Sequence, residues 1–383
     1  MGKQYISTVS AAQAHELDIF GLAITNKYTI TVSSDGYAKF WDNKVVEVHD
    51  PQDYVHSIMI NKIGIHHIAS FESILPNTTI KIVVLALVCF DGSIIFKYYI
   101  NDDITTMKDI DNSKFQKKFW APKFYKDPES KQDYFICTMA NSAVSINQIN
   151  FIVNDSNIEV TINNIRDLKF GLSCFPHSLA VCQTEDKFLA VGYDNGDVVL
   201  CEFIQGKIIY TFHSSDLRLS KNLNSKSIPR IIEFSPGGSI LAVARDIQSV
   251  GSITLYDVKY GENIGCLTAP SHSSKVSVGG FAHDGWIMGL SFDDEGKNLI
   301  SCGFDKCARI WNLQTKEREA TINISITDLE NTDHEPDSDS SIASGVSWVR
   351  KGIRGGAGND SNEGICIISF DRGIRWYREA GGI

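Results

Sequence analysis

One short phrase recurs along the chain: a β-rich run, a tight polar turn, then a second β-rich run with an aromatic near its end. It reads TVSSDGYAKFWD at 31–42, VCFDGSIIFKYY at 88–99, AVGYDNGDVVLCEF at 190–203, SCGFDKCARIWN at 301–312 and SFDRGIRWY at 369–377. Asp-Gly and Asn-Gly tolerate the positive φ angles that a two-residue hairpin needs. The flanking residues alternate and favour β-branched and aromatic types, as paired strands do. The turn aspartates Asp35, Asp91, Asp194, Asp305 and Asp371 lie 56, 103, 111 and 66 residues apart. Two of those gaps are about double the others, so each holds a degenerate unit. MANSAVSINQI at 139–149 fills the first, with Asn141-Ser142 in its turn. ARDIQSVGSITLYDV at 244–258 fills the second, with a longer turn around Ser249 to Gly251.

Seven units in 383 residues average about 55 each, longer than the 40–45 of a plain WD repeat. Two units carry more than the hairpin. His15, Thr31, Asp35 and Trp41 recur at nearly the same offsets as His283, Ser301, Asp305 and Trp311. This resembles the hydrogen-bonded tetrad of WD-repeat propellers, in which a loop His joins a turn Asp to a strand hydroxyl and ends at the Trp indole. The fourth unit has Cys201-Glu202 where Trp-Asp would sit. The last unit ends near Trp376-Tyr377 without room for a final strand, whereas QYISTV at 4–9 is a strand ahead of the first. The expected fold is therefore all-β: one seven-bladed WD-repeat propeller over 1–383, its seventh blade completed by the N-terminal strand, leaving no open sheet edge at the seam.

Bulk properties agree with an intracellular, soluble protein. The composition is 43% hydrophobic and 21% charged, ordinary for a globular chain. A net charge of -10 disfavours non-specific attraction to nucleic-acid or anionic membrane surfaces. The N-terminal MGKQYISTVS lacks the apolar stretch of a secretory signal, and IVVLALVCF at 82–90 is strand-sized rather than membrane-spanning. Nine cysteines are scattered without a C-x-x-C pair, which reads as reduced, buried thiols and offers no zinc spacing.

Three stretches read as exposed insertions. Residues 101–118 are charged and aperiodic, 328–341 are acidic and read as disordered, and 351–364 are Gly-rich within the last blade. GIRGGAGN has no following lysine and no helix to open, so it is not a phosphate loop.

His15, Thr31 and Asp35 hold the residue types of a catalytic triad. The same set recurs in the sixth unit, however, and repeat geometry explains both without catalysis. No cofactor or metal is expected, and His66-His67 lacks further ligands nearby in sequence. A propeller without catalytic residues uses its rims to bind peptides or protein surfaces. Aligning the starts of the first strands places Asp18 opposite Trp286 and Phe119-Trp120 in a comparable position in the third unit. The expected partner-binding residues on that face are Asp18, Phe20, His66, Phe119, Trp120 and Trp286.

Longer phrases resemble the WD-repeat subunit of the fungal superkiller (Ski) complex, an antiviral and meiotic recombination protein family. They include AHELDIF at 14–20, SSDGYAKFWDN at 33–43, GIHHI at 64–68, FSPGGSILAVARD at 234–246, ITLYDVKYGENIGCL at 253–267, SHSSKVSVGGFAHDGWIMGLSF at 271–292 and IRWYREAGG at 374–382. The resemblance is weakest through 101–175 and in the acidic stretch. It implies a non-catalytic scaffold that binds a DExH-box RNA helicase and a tetratricopeptide scaffold, supporting 3′-to-5′ mRNA decay by the cytoplasmic exosome. It also implies a link to the Spo11-type meiotic transesterase, hence a cytoplasmic chain with a nuclear role. Family partners present a Gln-Arg-x-x-hydrophobic segment, for which Asp18 would pair with the arginine and Trp120 would line the apolar pocket. Two other classes stay open: a docking propeller of another complex, such as a ubiquitin-ligase substrate receptor, and a direct RNA-binding propeller.

Overall fold

Each recurring phrase folds as the central hairpin of a four-stranded antiparallel sheet, with one strand added on either side. The computed structural model describes residues 3–44, 49–116, 118–130, 132–154, 157–217, 227–269, 281–329, 340–354 and 364–381. Strand β1 (Tyr5–Ala11) comes first. Blade one is β2 (Ile19–Ile24), β3 (Tyr28–Ser33), β4 (Tyr37–Asp42) and β5 (His56–Met59), and blade two is β6 (Ile65–Ile74), β7 (Lys81–Cys89), β8 (Ile94–Ile100) and β9 (Asp103–Ile110). Blade three is β10 (Phe119–Lys126), β11 (Asp133–Met139), β12 (Ala143–Asn154) and β13 (Asn157–Lys169). Blade four is β14 (Pro176–Val181), β15 (Phe188–Tyr193), β16 (Val198–Glu202) and β17 (Lys207–Phe212). Blade five is β18 (Ser227–Phe234), β19 (Ile240–Ile247), β20 (Val250–Asp257) and β21 (Glu262–Leu267). Blade six is β22 (Ile287–Phe292), β23 (Asn298–Gly303), β24 (Cys307–Asn312) and β25 (Arg318–Asn323). Blade seven holds β26 (Ala343–Val349), β27 (Gly364–Ser369) and β28 (Ile374–Glu379), and takes β1 as its outer strand in the order β1-β28-β27-β26.

The architecture is the expected seven-bladed all-β propeller. Its seam is held by antiparallel pairing from Tyr5↔Glu379 to Ala11↔Ile374. Ser344 Oγ donates to Ile19 O at 2.5 Å, and the Trp41 and Trp376 rings meet at 6.4 Å. Apolar cores fill the spaces between blades, because each sheet buries both faces against its neighbours.

Two details differ from the sequence reading, and two of its stretches go undescribed. Residues 103–110, expected as an exposed connection, form the outer strand of blade two, where Ile104 and Ile110 are buried, Met107 packs against the core and the charged positions face solvent. Blade five has a tight turn rather than a long one: Ile247 pairs with Val250, and Gln248 takes φ 54°. The acidic stretch falls largely on 330–339 and the Gly-rich one on 355–363, both outside the described residues.

The two histidine tetrads lie inside their blades and differ at the last link. In blade six His283 bonds Asp305 at 2.8 Å and Ser301 at 2.7 Å, and Trp311 Nε1 donates to Ser301 Oγ at 2.8 Å. In blade one His15 bonds Asp35 at 2.9 Å and Thr31 at 2.8 Å, but the buried Trp41 Nε1 has no hydrogen-bond partner among the described residues. Burial disfavours ionisation of Asp305, yet His283 and Arg309 together hold its pKa at about 2. Blade seven uses another solution. Arg375, four residues after the turn Asp371, bonds its carboxylate at 2.5 Å, Ser369 Oγ at 2.6 Å and Ser325 O at 2.9 Å, with both charged groups fully buried.

The broken link in blade one has a measurable counterpart. Trp311→Phe removes a buried hydrogen bond and part of a ring, whereas Trp41→Phe removes part of a ring alone. Chemical denaturation is expected to find Trp311→Phe the less stable by about 1 kcal/mol. Equal losses would contradict the difference between the two tetrads.

Candidate functional site

Every inner strand loses register close to its first residue. The shifts fall between Ile19 and Gly21, Ile65 and His67, Phe119 and Pro122, Pro176 and Ser178, Pro229 and Ile231, Ile287 and Gly289, and Ala343 and Gly345. A bulge inserts one residue that the ladder does not pair and re-aims its side chain. Seven such bulges ring one end of the central channel, here called the upper mouth. They present Phe20, His66, Trp120, His177, Arg230, Met288 and Ser344. The channel below them holds a cavity of 410 Å³, lined in part by Phe20, His67, His177, Arg230 and Met288.

A second set of side chains reaches the same end from the hairpin turns. Phe90, Phe304 and Phe370 each sit immediately before a turn aspartate. With Trp286 and Phe175, which immediately precede β22 and β14, the aromatic members of the two sets form a continuous arc. Centroid distances run 5.4 Å from Trp286 to Phe304, 6.1 Å to Phe370, 5.2 Å to Phe20, 5.1 Å to Phe90 and 5.2 Å to His66. His66 then stacks on Trp120 at 4.3 Å, and Trp120 meets Phe175 at 5.3 Å. All lie in the range of favourable offset and edge contacts. The arc crosses six of the seven blades.

Its chemistry is that of an apolar, uncharged surface with polar handles. Burial lowers the His66 pKa to about 4, pushes that of His67 well down and lowers that of His177. The His66 and His67 Nδ1 atoms share a hydrogen bond, so with both rings neutral one donates and the other accepts. Trp120 Nε1 donates to His177 O at 3.1 Å, which fixes the indole. Leu17 and Ile63, each 53% exposed, and Phe90, 43% exposed, extend the apolar surface outward at blades one and two. Exposed apolar groups gathered in one place mark an interaction site more than scattered ones do.

Of the residues singled out in the sequence, Phe20, His66, Trp120 and Trp286 belong to the arc, and Asp18 is exposed beside Leu17. Partial burial raises the Asp18 carboxyl above its usual pKa, and the charge of Arg372 from the blade-seven turn opposes that rise. Phe119 does not belong to this surface. It occupies the last slot before the bulge, the place of Ile19 and Ile65, and is buried between blades two and three against Phe115. The bulge that re-aims Trp120 toward the mouth leaves Phe119 in the ladder, facing the core. Sequence reasoning missed Phe90, Phe304 and Phe370, although the recurring FDG, FDK and FDR triplets carry the signal. The tetrad residues His15, Thr31, Asp35, Trp41, His283, Ser301, Asp305 and Trp311 stay within their blades, and both histidines are buried. Among the described residues, no group of three or more His, Cys, Asp or Glu is placed to hold a metal ion, and no helix is long and apolar enough to cross a membrane.

Comparison with known proteins gives the family. The WD domain, G-beta repeat family matches residues 266–312. Antiviral protein SKI8 of Saccharomyces cerevisiae is 34% identical over 403 aligned residues, covering 100% of this chain and 100% of that protein. This chain belongs to the SKI8 family. Meiotic recombination protein rec14 of Schizosaccharomyces pombe is 23% identical over 272 residues, 69% of this chain and 74% of its own length. WD repeat-containing protein 1 of Xenopus tropicalis is 30% identical over 148 residues, but these are only 39% of this chain and 21% of that protein. The full-length match separates the SKI8-family chain from proteins that share repeats alone.

The buried histidines of this SKI8-family propeller tie its stability to pH. A histidine whose folded pKa lies below the unfolded value of 6.5 binds its proton more tightly in the unfolded chain. Its contribution is full above pH 6.5 and is lost as pH falls toward 4. His66→Phe keeps the ring stacked on Trp120 and removes one such group. The unfolding free energy of this variant is expected to fall less steeply between pH 7 and pH 4 than that of the wild type. Parallel pH profiles in denaturant melts would refute the assignment.

Proposed function

We propose that this protein is a non-catalytic scaffold subunit of a superkiller-type complex and that its upper mouth captures a short segment of its protein partners. The observation that carries this reading is the aromatic arc, which is apolar, uncharged and held rigid by the ring of blades, with Asp18 exposed at its rim. A peptide with one basic and one apolar side chain complements it: the arginine meets Asp18, and the hydrophobic residue enters beside Trp120 and His66. Rigid aromatic anchors of this kind carry much of the binding energy at interfaces.

Similarity to a protein named antiviral SKI8 supports partners of the RNA-decay class, a DExH-box helicase and a tetratricopeptide scaffold. Similarity to a meiotic recombination protein supports a second, nuclear role beside the cytoplasmic one. A scaffold rather than an enzyme fits the fate of the His, Asp and hydroxyl groups. His15 and His283 spend both ring nitrogens on bonds inside the blade. The net charge of -10 counts against direct RNA binding as the main activity.

A labelled peptide with a Gln-Arg-x-x-Leu core tests the site by fluorescence anisotropy. Trp120→Ala is expected to weaken binding roughly 30-fold, the equivalent of about 2 kcal/mol, and Asp18→Lys roughly tenfold. Binding as tight as wild type in both variants would overturn the site. Affinity purification tests the assembly: a helicase with a tetratricopeptide protein supports the reading, whereas cullin components would assign the propeller to another complex.

A further inference from the structure

In blades one, six and seven the second cross-strand pair above the hairpin turn carries a long cation. Lys39 stands opposite Thr31, Arg309 opposite Ser301 and Arg375 opposite Ile367. Blade three holds Ser145 at that position, opposite Cys137, with Asp167 beside it on β13. A cavity of 480 Å³ lies there, between blade three and the connection that enters it from blade two. Its polar wall is built around Asn164, whose Nδ2 donates to Ser145 Oγ at 2.9 Å, Asp167 Oδ1 at 3.0 Å and Asn147 Oδ1 at 3.3 Å. One amide thus offers two hydrogens to three acceptors. Ser145 and Asn147 are buried, and Asn147 Nδ2 is tied to Phe135 O at 3.2 Å, so this wall is held in place. Phe115 forms the apolar wall, braced by Phe96 at 5.2 Å and Phe119 at 5.6 Å. Lys114 and Lys118 also line the cavity, so cations outnumber the Asp167 carboxylate among its described residues.

We propose that this cavity, separate from the upper mouth, binds a nucleoside monophosphate whose base carries an exocyclic amino group. Three features define the ligand. The polar wall is short of N–H donors, and the amino group supplies one to Asp167. In blades six and seven an arginine of the chain itself supplies the donors to the turn aspartate. Phe115 is half-buried and offers a ring on which a flat heterocycle stacks. Two lysines against one carboxylate favour a phosphate at the other end of the ligand. A guanidinium would meet the first feature and fail the third. The volume falls within the range of about 300–1,000 Å³ usual for small-ligand pockets. A net charge of -10 disfavours a polynucleotide, so the ligand is a free mononucleotide.

Isothermal titration of the full chain with adenosine, cytidine, inosine and uridine monophosphates tests the site. At least one of the two amino-bearing nucleotides is expected to bind about tenfold more tightly than its oxo counterpart, which sets an oxygen against Asp167. Asp167→Asn presents both a donor and an acceptor, and that preference collapses. Lys114→Ala combined with Lys118→Ala weakens the same nucleotide roughly tenfold and leaves its parent nucleoside unaffected. Ser145→Arg fills the cavity with an arginine, the residue at this position in blades six and seven, and abolishes binding; an unchanged thermal midpoint reports an intact fold. Asp167 and Lys114 are exposed, so their variants decide the matter even if Ser145→Arg does not fold. The site is wrong if neither amino-bearing nucleotide binds, if amino and oxo forms bind equally, or if binding survives in a folded Ser145→Arg chain. None of these outcomes touches the docking reading, which depends on Trp120 and Asp18.

Discussion

The antiparallel pairing of β1 with β28 is the constraint on which the rest of the molecule depends. Without it, blade seven would have three strands and an open edge, and the ring would be held only by side-chain packing. Closure by main-chain hydrogen bonds fixes the seven inner strands at set angles around one channel. The seven bulges near their starts then become a defined circle of side chains. A loop-built surface would have to pay ordering entropy for the same arrangement.

On that circle the blades are not equivalent. Blades one to three contribute Phe20, His66 and Trp120 at the bulge, whereas blades five to seven contribute Arg230, Met288 and Ser344. The broken symmetry makes a directional surface. Its aromatic side has the exposed Leu17, Ile63 and Phe90 around it, and Asp18 supplies a negative charge close by. Burial lowers the pKa of each of these histidines, so they add no positive charge to the apolar surface at neutral pH. Inside the blades, His283 with Arg309 and Arg375 alone are two ways of satisfying a buried turn aspartate. Blade seven therefore pairs its buried turn aspartate without a histidine tetrad.

Much of this was legible in the sequence because turn chemistry is local. Asp-Gly and Asn-Gly turns at repeat spacing gave the blades, and QYISTV against a last unit short of one strand gave the closure. What was missed depended on pairing that spacing does not record. Residues 103–110 look like a loop because an outer strand need bury only alternate residues. The tight turn at Gln248 has no glycine to mark its positive φ. Phe119 and Trp120 are adjacent and similar in type, and only the register shift sends one into the core and the other to the mouth. Arg375 escaped notice because its role requires the turn to bring it back over Asp371.

The central claim is that the upper mouth engages a partner segment. Hydrogen–deuterium exchange of the chain alone and in its purified complex tests it most directly. The account predicts slower exchange in the complex at 17–20, 63–67, 89–92, 119–121 and 370–372, with the turns at the opposite end unchanged. Protection confined to that opposite end, or to the outer strands of the blades, would contradict it.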